Sequence, residues 1–474
     1  MRFIKNYFWN AGYQVFVLIV PLITIPYISQ VLGPTGVGSE AYTRSIAQYF
    51  ILLGSLGLTV YGNREVAYVR DDRQGLSKTF LELLELRVVL TVGVTLLYLV
   101  LIFFLNKYRV YFLLQGLGII AAFFDISWFF QGLEEFRIII TRNVAVKVVS
   151  VFLIFRFVKA QSDVGIYILV LVCSTLIGNL TLWPYVKKYL EHIPHRYLYP
   201  WKHLRPMIAL FLPQIAMQIY LQVNKTMLGA ITGVNSSGFY DSSDKIIRMI
   251  LAIVTSIGTV MLPNVAHHFK VGHSKAIHNS LKFSINFTLL LAVPCTAGII
   301  FISRQFTELF FGVAFLPVAP LMQIEALIVI AIGISSVTGY QYLLPTNQVT
   351  AYSRSVFYGA ILNIVLNIPF IIFGGAIGAM ISTVISEFVV TGYQLLVIQK
   401  HINVLSLFKG VWKYLLSVVP MTGCMMLASH LPIHGWIQLS VTVGVAVLTY
   451  VVSVLILRPK ELISSFVSIR ENGD

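Results

Sequence analysis

The run Pro21-Leu22-Ile23-Thr24-Ile25-Pro26-Tyr27-Ile28-Ser29-Gln30-Val31-Leu32-Gly33-Pro34-Thr35-Gly36-Val37-Gly38-Ser39-Glu40-Ala41-Tyr42-Thr43-Arg44-Ser45 decides how the chain is read. An apolar helix with two prolines enters an uncharged, glycine-rich turn, and the next helix sets Glu40 and Arg44 one turn apart. Proline removes a backbone donor and bends a helix, while glycine tolerates left-handed geometry. The stretch reads as a membrane hairpin built to bend, with Pro21, Pro26, Gly33, Gly36 and Gly38 as hinge residues.

Working outward, the 474 residues are 57% hydrophobic and 11% charged, with mean hydropathy +0.82, too little polar surface for a water-soluble fold. A bilayer-spanning helix needs about 20 apolar residues. Breaking the chain at polar and Gly/Pro clusters gives about fourteen such helices. The expected spans are 8–32, 40–67, 79–105, 110–131, 138–158 and 164–186, then 205–232, 240–266, 281–303, 317–344, 353–373 and 375–399, then 409–429 and 436–457. This predicts an all-α polytopic membrane protein with about 14 transmembrane helices: an N-terminal six-helix lobe over 1–190, a C-terminal six-helix lobe over 205–400, and two additional C-terminal helices over 405–460.

The net charge of +15 is distributed by loop. With Met1 to Tyr7 taken as cytoplasmic and cations near a span's end counted with the adjoining loop, 22 of the 34 Lys/Arg fall in inside segments, 5 outside and 7 within helices, which is strongly positive-inside. The basic residues thus set topology, both termini are expected in the cytoplasm, and the bilayer rather than nucleic acid is the expected partner. Cys173, Cys295 and Cys424 lie in apolar segments and imply neither disulfide nor metal site. Cations precede the first apolar stretch as in a signal peptide, but Pro21 and Pro26 interrupt it and no small-residue cleavage site appears, so it reads as a retained helix.

The longest polar connection, Lys187 to Arg205, reads as a lobe linker. Across it runs a faint repeat at about 200 residues, in which Gly38 and Ser55-Leu56-Gly57 echo Gly238 and Ser256-Ile257-Gly258, each on the second helix of a six-helix half. Parallel half-repeats are a transporter signature, with substrate held between the halves.

No G-x-x-x-x-G-K-[ST] run is present, the outer loops are short and nearly uncharged, and no metal-spaced cluster appears, so no catalytic residues are expected. His267 and His268 read as a solvated pair at a cytoplasmic helix end. What remains are cations inside helices, each costing at least roughly 2.5 to 3.5 kcal/mol at the bilayer centre on insertion scales: Arg44, Arg64, Arg87, Lys147, Lys225, Lys245 and Arg248. Snorkelling and the nearby Glu65, Glu82 and Glu85 explain Arg64 and Arg87. Gln214, Gln218, Gln222 and Lys225 gather within about 80° of one helix face. Glu40/Arg44, Asp241/Lys245 and Asp244/Arg248 are acid-before-base pairs at i, i+4, the favourable order. Lys147 and Lys225 have no acid at i±3 or i±4, which leaves the expected cavity net basic and suited to an anionic headgroup. Asn363 and Asn367, at i and i+4, fit either sugar binding or helix–helix hydrogen bonding.

Tyr27 to Gly38 resembles the P-Y-I-S-x-x-L-G-P-x-G-x-G run of oligosaccharide flippases in the multidrug/oligosaccharidyl-lipid/polysaccharide exporter superfamily, with Gln30 where such sequences often have a basic residue. Further resemblance falls at Trp128 to Phe136, Lys225 to Gly229, Ser256 to Ala266 and Gly378 to Glu387, and Asn224 stands where the family often has an acid. The resemblance implies a MATE-like fold and translocation of undecaprenyl-diphosphate-linked oligosaccharide repeat units across the bacterial cytoplasmic membrane for capsule, O-antigen or exopolysaccharide synthesis. It implies no cofactor, H+ or Na+ as the candidate coupling ion, and a polysaccharide polymerase and glycosyltransferases as candidate partners. Arg44, Lys147, Gln214, Gln218, Gln222, Lys225, Lys245, Arg248, Asn363 and Asn367 are then the expected substrate-binding set. The alternatives are a multidrug or organic-cation antiporter of the same superfamily and a non-transporting scaffold of an envelope-synthesis complex.

Overall fold

The computed structural model describes residues 2–458, without the side chains of residues 2–11, 14, 15, 212–214, 216, 217, 259 and 260. Every regular element among them is helical, as lipid requires when no water is present to satisfy backbone groups. In order these are α1 (Arg2–Ser55), α2 (Leu58–Val69), α3 (Arg73–Phe104), α4 (Arg109–Phe123), α5 (Ser127–Gly132), α6 (Phe136–Phe157), α7 (Val164–Leu180), α8 (Trp183–Val186), α9 (Leu204–Ile231), α10 (Val234–Val254), α11 (Ile257–Val271), α12 (Ser274–Phe310), α13 (Val318–Glu325), α14 (Leu327–Ser335), α15 (Val349–Ile398), α16 (Val404–Leu407), α17 (Val411–Ser429) and α18 (Gly435–Leu457), with a π-helical stretch at Ser336–Leu343.

Ten of the described helical segments are long and apolar enough to cross a membrane. Two of them hold a non-helical glycine, Gly33 in α1 at φ 65° and Gly375 in α15 at φ 54°, and each divides there into two passes. With α9 and the broken pair α10–α11, both richer in polar side chains, the described chain makes the fourteen passes expected.

The break in α1 is narrower than the turn expected. Only Gly33 leaves helical geometry, and Pro21, Pro26 and Pro34 all sit within helix. A positive φ at one residue is open to glycine at little steric cost, so one residue suffices where a longer glycine-rich turn was expected. Gly36 and Gly38, expected as hinge residues, are instead packing positions: an added Cβ would lie 2.8 Å from Leu32 Cβ at Gly36 and 1.9 Å from the Val234 carbonyl oxygen at Gly38.

The chain forms two compact units, Met1–Gly238 and Phe239–Asp474. The packing boundary thus lies beyond the Lys187–Arg205 connection, because α9 packs on α1: Ser45 Oγ is 2.8 Å from Thr226 Oγ1, Tyr49 OH is 3.2 Å from it, and Gly229 takes the Tyr42 ring against its backbone. The core of the first unit is aromatic, with Phe80 stacked on Trp128 at 5.7 Å and Phe129 and Phe130 fully buried. Close packing rather than water release drives such contacts inside lipid, and Gly62 and Gly132 admit them, since a Cβ at either would come within 2.6 Å of Trp128 or Val66.

Arg87 does not snorkel. It is buried and donates to the carbonyls of Ala122 and Asp125 at the C-terminal end of α4, where helix carbonyls lack intrahelical partners and the helix dipole favours a cation. Arg64 follows the sequence reading, pairing with Glu65 at 3.1 Å.

The Lys187–Arg205 connection is pinned along α3 rather than loose. Glu191 N–H donates to the buried Ser77 hydroxyl at 2.7 Å, His195 Nε2 meets Glu85 at 2.9 Å, and Tyr199 N–H donates to Glu82 at 2.9 Å. Glu82, fully buried, also holds Lys202 at 2.6 Å and His203 Nε2 at 2.9 Å, while His203 Nδ1 reaches Tyr61 OH of α2 at 2.7 Å.

In the second unit α12 packs against α11, α13, α14 and α17, and Tyr450 OH of α18 donates to the Leu290 carbonyl at 2.9 Å. The two arms of α15 close on each other beside Gly375, and a Cβ on Gly378 would sit 1.8 Å from the Phe370 carbonyl oxygen. His268 is buried against His267 and His273, not solvated as its helix-end position suggested, because α11 continues to Val271 and carries it inward.

Candidate functional site

The second pass of each sequence half is a discontinuous helix. In the first half α1 stops at Ser55, Leu56 and Gly57 take positive φ, and α2 resumes at Leu58. In the second, α10 ends at Val254 and α11 starts at Ile257. These are the two tripeptides the repeat pairs, and interruptions at corresponding positions of two halves are the strongest local pointer to a transporter's binding site. The repeat's two glycines touch: a Cβ on Gly238 would lie 2.8 Å from Gly38 Cα.

The same passes carry the i, i+4 ion pairs, and all three form. In the first unit Arg44 Nε lies 2.7 Å from Glu40. In the second, Lys245 Nζ lies 2.5 Å from Asp241 and Arg248 Nε 2.7 Å from Asp244. Each is built the same way: the acids are buried, whereas the side chains of Arg44, Lys245 and Arg248 keep 32%, 35% and 40% of their surface exposed. A helix places i and i+4 on one face, so a short acid reaches inward while the longer base extends outward over it. The face therefore shows cationic tips backed by neutralising carboxylates, a charge arrangement that accepts an anion without leaving a bare cation in lipid when none is present.

Other expected site residues are placed differently. Lys225 is buried and partnered, although no acid lies at i±3 or i±4, and its own carbonyl accepts from the Ser237 hydroxyl at 2.9 Å. Gln218 and Gln222 are half-buried on α9, and Gln222 Oε1 has no hydrogen-bond partner among the described residues. The side chain of Gln214 lies outside the described residues. Lys147 is exposed on α6 beside the exposed Val148 and Val149. Asn363 and Asn367 take the second of their two readings: both are fully buried in the second unit, Asn367 Nδ2 donates to Asn363 Oδ1 at 3.1 Å, and Ser382 on the other arm of α15 donates to Asn367. They clasp the two arms of α15.

Three further polar groups with partners on other helices carry no role in the sequence analysis. Glu325, fully buried at the end of α13, accepts from Ser243 Oγ of α10 at 2.5 Å. It was findable as a carboxylate in an apolar run, which costs enough to need a partner. Arg142 donates to Asn179 at 2.9 Å and Ser127 at 2.6 Å, partners on other helices that carry no local signature. Tyr240 joins the second-unit face through Thr383 at 3.2 Å. Among the described residues no group of three or more His, Cys, Asp or Glu is placed to hold a metal ion.

Comparison with known proteins places this architecture. A Shigella dysenteriae protein named as a candidate O-antigen transporter is 21% identical over 379 residues, covering 79% of this chain and 94% of the relative. An Escherichia coli K12 protein of the same name is 20% identical over 403 residues, covering 84% and 97%. Among solved structures, the lipid II flippase MurJ in an inward closed conformation matches with TM-score 0.71 at 14% identity over 94% of this chain and 98% of that one. A multidrug resistance MATE family transporter of the MOP superfamily, facing inward, matches with TM-score 0.63 at 13% identity over 83% and 99%. These two likenesses show the shared fold. The family model described as polysaccharide biosynthesis protein matches residues 3–269, more than half of the chain. With fourteen passes, paired helix breaks and cation-tipped faces in place, this multi-pass membrane protein belongs to the polysaccharide biosynthesis protein family.

Proposed function

We propose that the protein flips an undecaprenyl-diphosphate-linked oligosaccharide from the cytoplasmic to the outer leaflet of a bacterial plasma membrane by alternating access, with both termini in the cytoplasm. The observation that carries this reading is the repeated pair geometry, acid buried and base partly exposed, at Glu40/Arg44, Asp241/Lys245 and Asp244/Arg248. A diphosphate is met by charge-assisted hydrogen bonds from the cationic tips, and half-buried amides such as Gln218 suit sugar hydroxyls. Family membership and the O-antigen transporter names support the substrate class.

The test separates a structural pair from a ligand-binding one. Arg248→Gln strands a buried carboxylate, so it should lower both thermal stability and export. Adding Asp244→Asn removes the stranded charge, so stability should recover while outer-leaflet lipid-linked sugar stays down about tenfold, the effect of losing roughly 1.4 kcal/mol of binding. Export that recovers together with stability in the double variant would assign Arg248 to structure alone.

Topology gives a second expected result. Single cysteines at Thr35 and Gly233 should react with an impermeant reagent in intact cells, while those at Gln74, Arg196 and Lys275 should react only after permeabilisation. Thr35 is the choice at its turn because it is exposed while Gly36 is buried. Labelling of position 196 from outside would invert the orientation.

A further inference from the structure

The Lys187–Arg205 connection has two faces, and the transport reading uses neither. Its inner face is fixed: Ser77, Glu82 and Glu85 of α3 and Tyr61 of α2 hold Glu191, His195, Tyr199, Lys202 and His203. Its outer face is aromatic and basic. Tyr197, Tyr199 and Trp201 are exposed large side chains, flanked by the exposed Lys187, Lys188, Arg196 and Arg205. Two rings carry cations over their faces, Arg196 on Tyr197 at 4.8 Å and Lys78 on Tyr199 at 5.5 Å. The connection holds five Lys/Arg and one acid, Glu191, which lies 3.4 Å from Arg73.

We infer that this outer face is a docking surface for the anionic phospholipid headgroups of the adjoining leaflet. Tyr and Trp settle at headgroup level because the ring is apolar and its N–H or O–H tip is wet. Lys and Arg beside an anionic leaflet are attracted within about a Debye length. A soluble anion would engage the cations and leave three rings in water, so the combination selects a lipid surface. The cations are also spread along the connection rather than converging on one point, which suits many headgroups and not a single diphosphate. Because the inner face is already pinned by a fully buried carboxylate, docking orders little additional chain, and the loss of freedom that weakens binding by flexible basic tails is reduced.

The full-length protein in nanodiscs of POPC, or of POPC with about one third POPG, tests this. After mild delipidation, native mass spectrometry should show POPG retained over POPC at least about fivefold, with the preference falling toward parity at high salt. The variant Lys187→Gln/Lys188→Gln/Arg196→Gln/Arg205→Gln, which leaves Lys202 on Glu82, should lose the preference while its thermal unfolding in detergent stays at the wild-type value. Tyr197→Ser/Trp201→Ser should weaken retention of both lipids. Hydrogen exchange across 195–205 should be slower in the POPG discs for the wild type only. Equal retention of the two lipids by the wild type overturns the inference without any variant. So does an undiminished POPG preference in the quadruple variant. Loss of export in that variant, with no lipid preference in the wild type, would assign the surface to a protein partner or to the transported lipid instead.

Discussion

Gly38→Ala is expected to remove most of the folded protein. The new Cβ would lie 1.9 Å from the Val234 carbonyl oxygen and 2.5 Å from its carbon, backbone atoms with no rotamer to escape into. Overpacking a flexible core costs typically 1–3 kcal/mol, and a clash against backbone belongs at or above the upper end of that range. Relief requires α1 to move off the first turn of α10. That movement would shift Glu40 and Arg44, two and six residues further along α1, so any surviving protein should also export poorly. Gly238→Ala attacks the same contact from the other side, with Gly38 Cα and N at 2.8 Å. Once one alanine has pushed the two helices apart, the second finds room, so the double change should cost much less than the sum of the singles. Monodisperse yield on size-exclusion chromatography and the thermal unfolding midpoint measure this. A wild-type midpoint for Gly38→Ala would mean that the two helices are further apart than the structure has them.

Glu82→Ala is expected to free the Lys187–Arg205 connection from α3. The carboxylate is fully buried and takes the Tyr199 N–H, the Lys202 ammonium and His203 Nε2 together, so its removal leaves the Tyr199 N–H and the buried His203 without their acceptor, while the half-exposed Lys202 turns to water. Each buried donor left without an acceptor costs about 1–3 kcal/mol. Much of that should appear as local opening of the connection, because the aromatic core around Phe80 and Trp128 does not depend on this carboxylate for its packing. Trypsin should then cleave at Arg196 and Lys202 at least about tenfold faster, since cleavage follows the population of the open form. Glu82→Gln keeps an acceptor for Tyr199 and should fall between the two. Cleavage at the wild-type rate in Glu82→Ala would show that Ser77 and Glu85 alone hold the connection.

Part of the molecule was legible in the residues. Apolar length and Lys/Arg distribution are properties of the chain itself, so the membrane class and the fourteen passes follow from composition once the breaks at Gly33 and Gly375 are allowed for. The pairs Glu40/Arg44, Asp241/Lys245 and Asp244/Arg248 were readable because a helix fixes i against i+4 before any tertiary contact forms. The repeat matched Gly38 to Gly238 as equivalent positions, and the break at Ser55-Leu56-Gly57 to that at Ser256-Ile257-Gly258. What the chain could not show is which side of each pair points inward, since Arg44, Lys245 and Arg248 owe their exposure to the helices packed against Glu40, Asp241 and Asp244.

Tertiary structure alone decided the rest, for one physical reason: the partners are remote in sequence and no spacing rule links them. Tyr61 and His203 stand 142 residues apart, and Ser45 and Thr226 stand 181 apart. Helix α9 joins the first unit through such contacts, although the connection before it looked like a lobe boundary. Arg87 looked like a snorkelling cation because acids lie near it in sequence, yet its partners are the carbonyls of Ala122 and Asp125 on another helix. Asn363 and Asn367 left two readings open until the second arm of α15 brought Ser382 against them. Local geometry therefore set the helices, their breaks and their ion pairs, and packing set which of those polar groups are buried as clasps and which remain partly exposed.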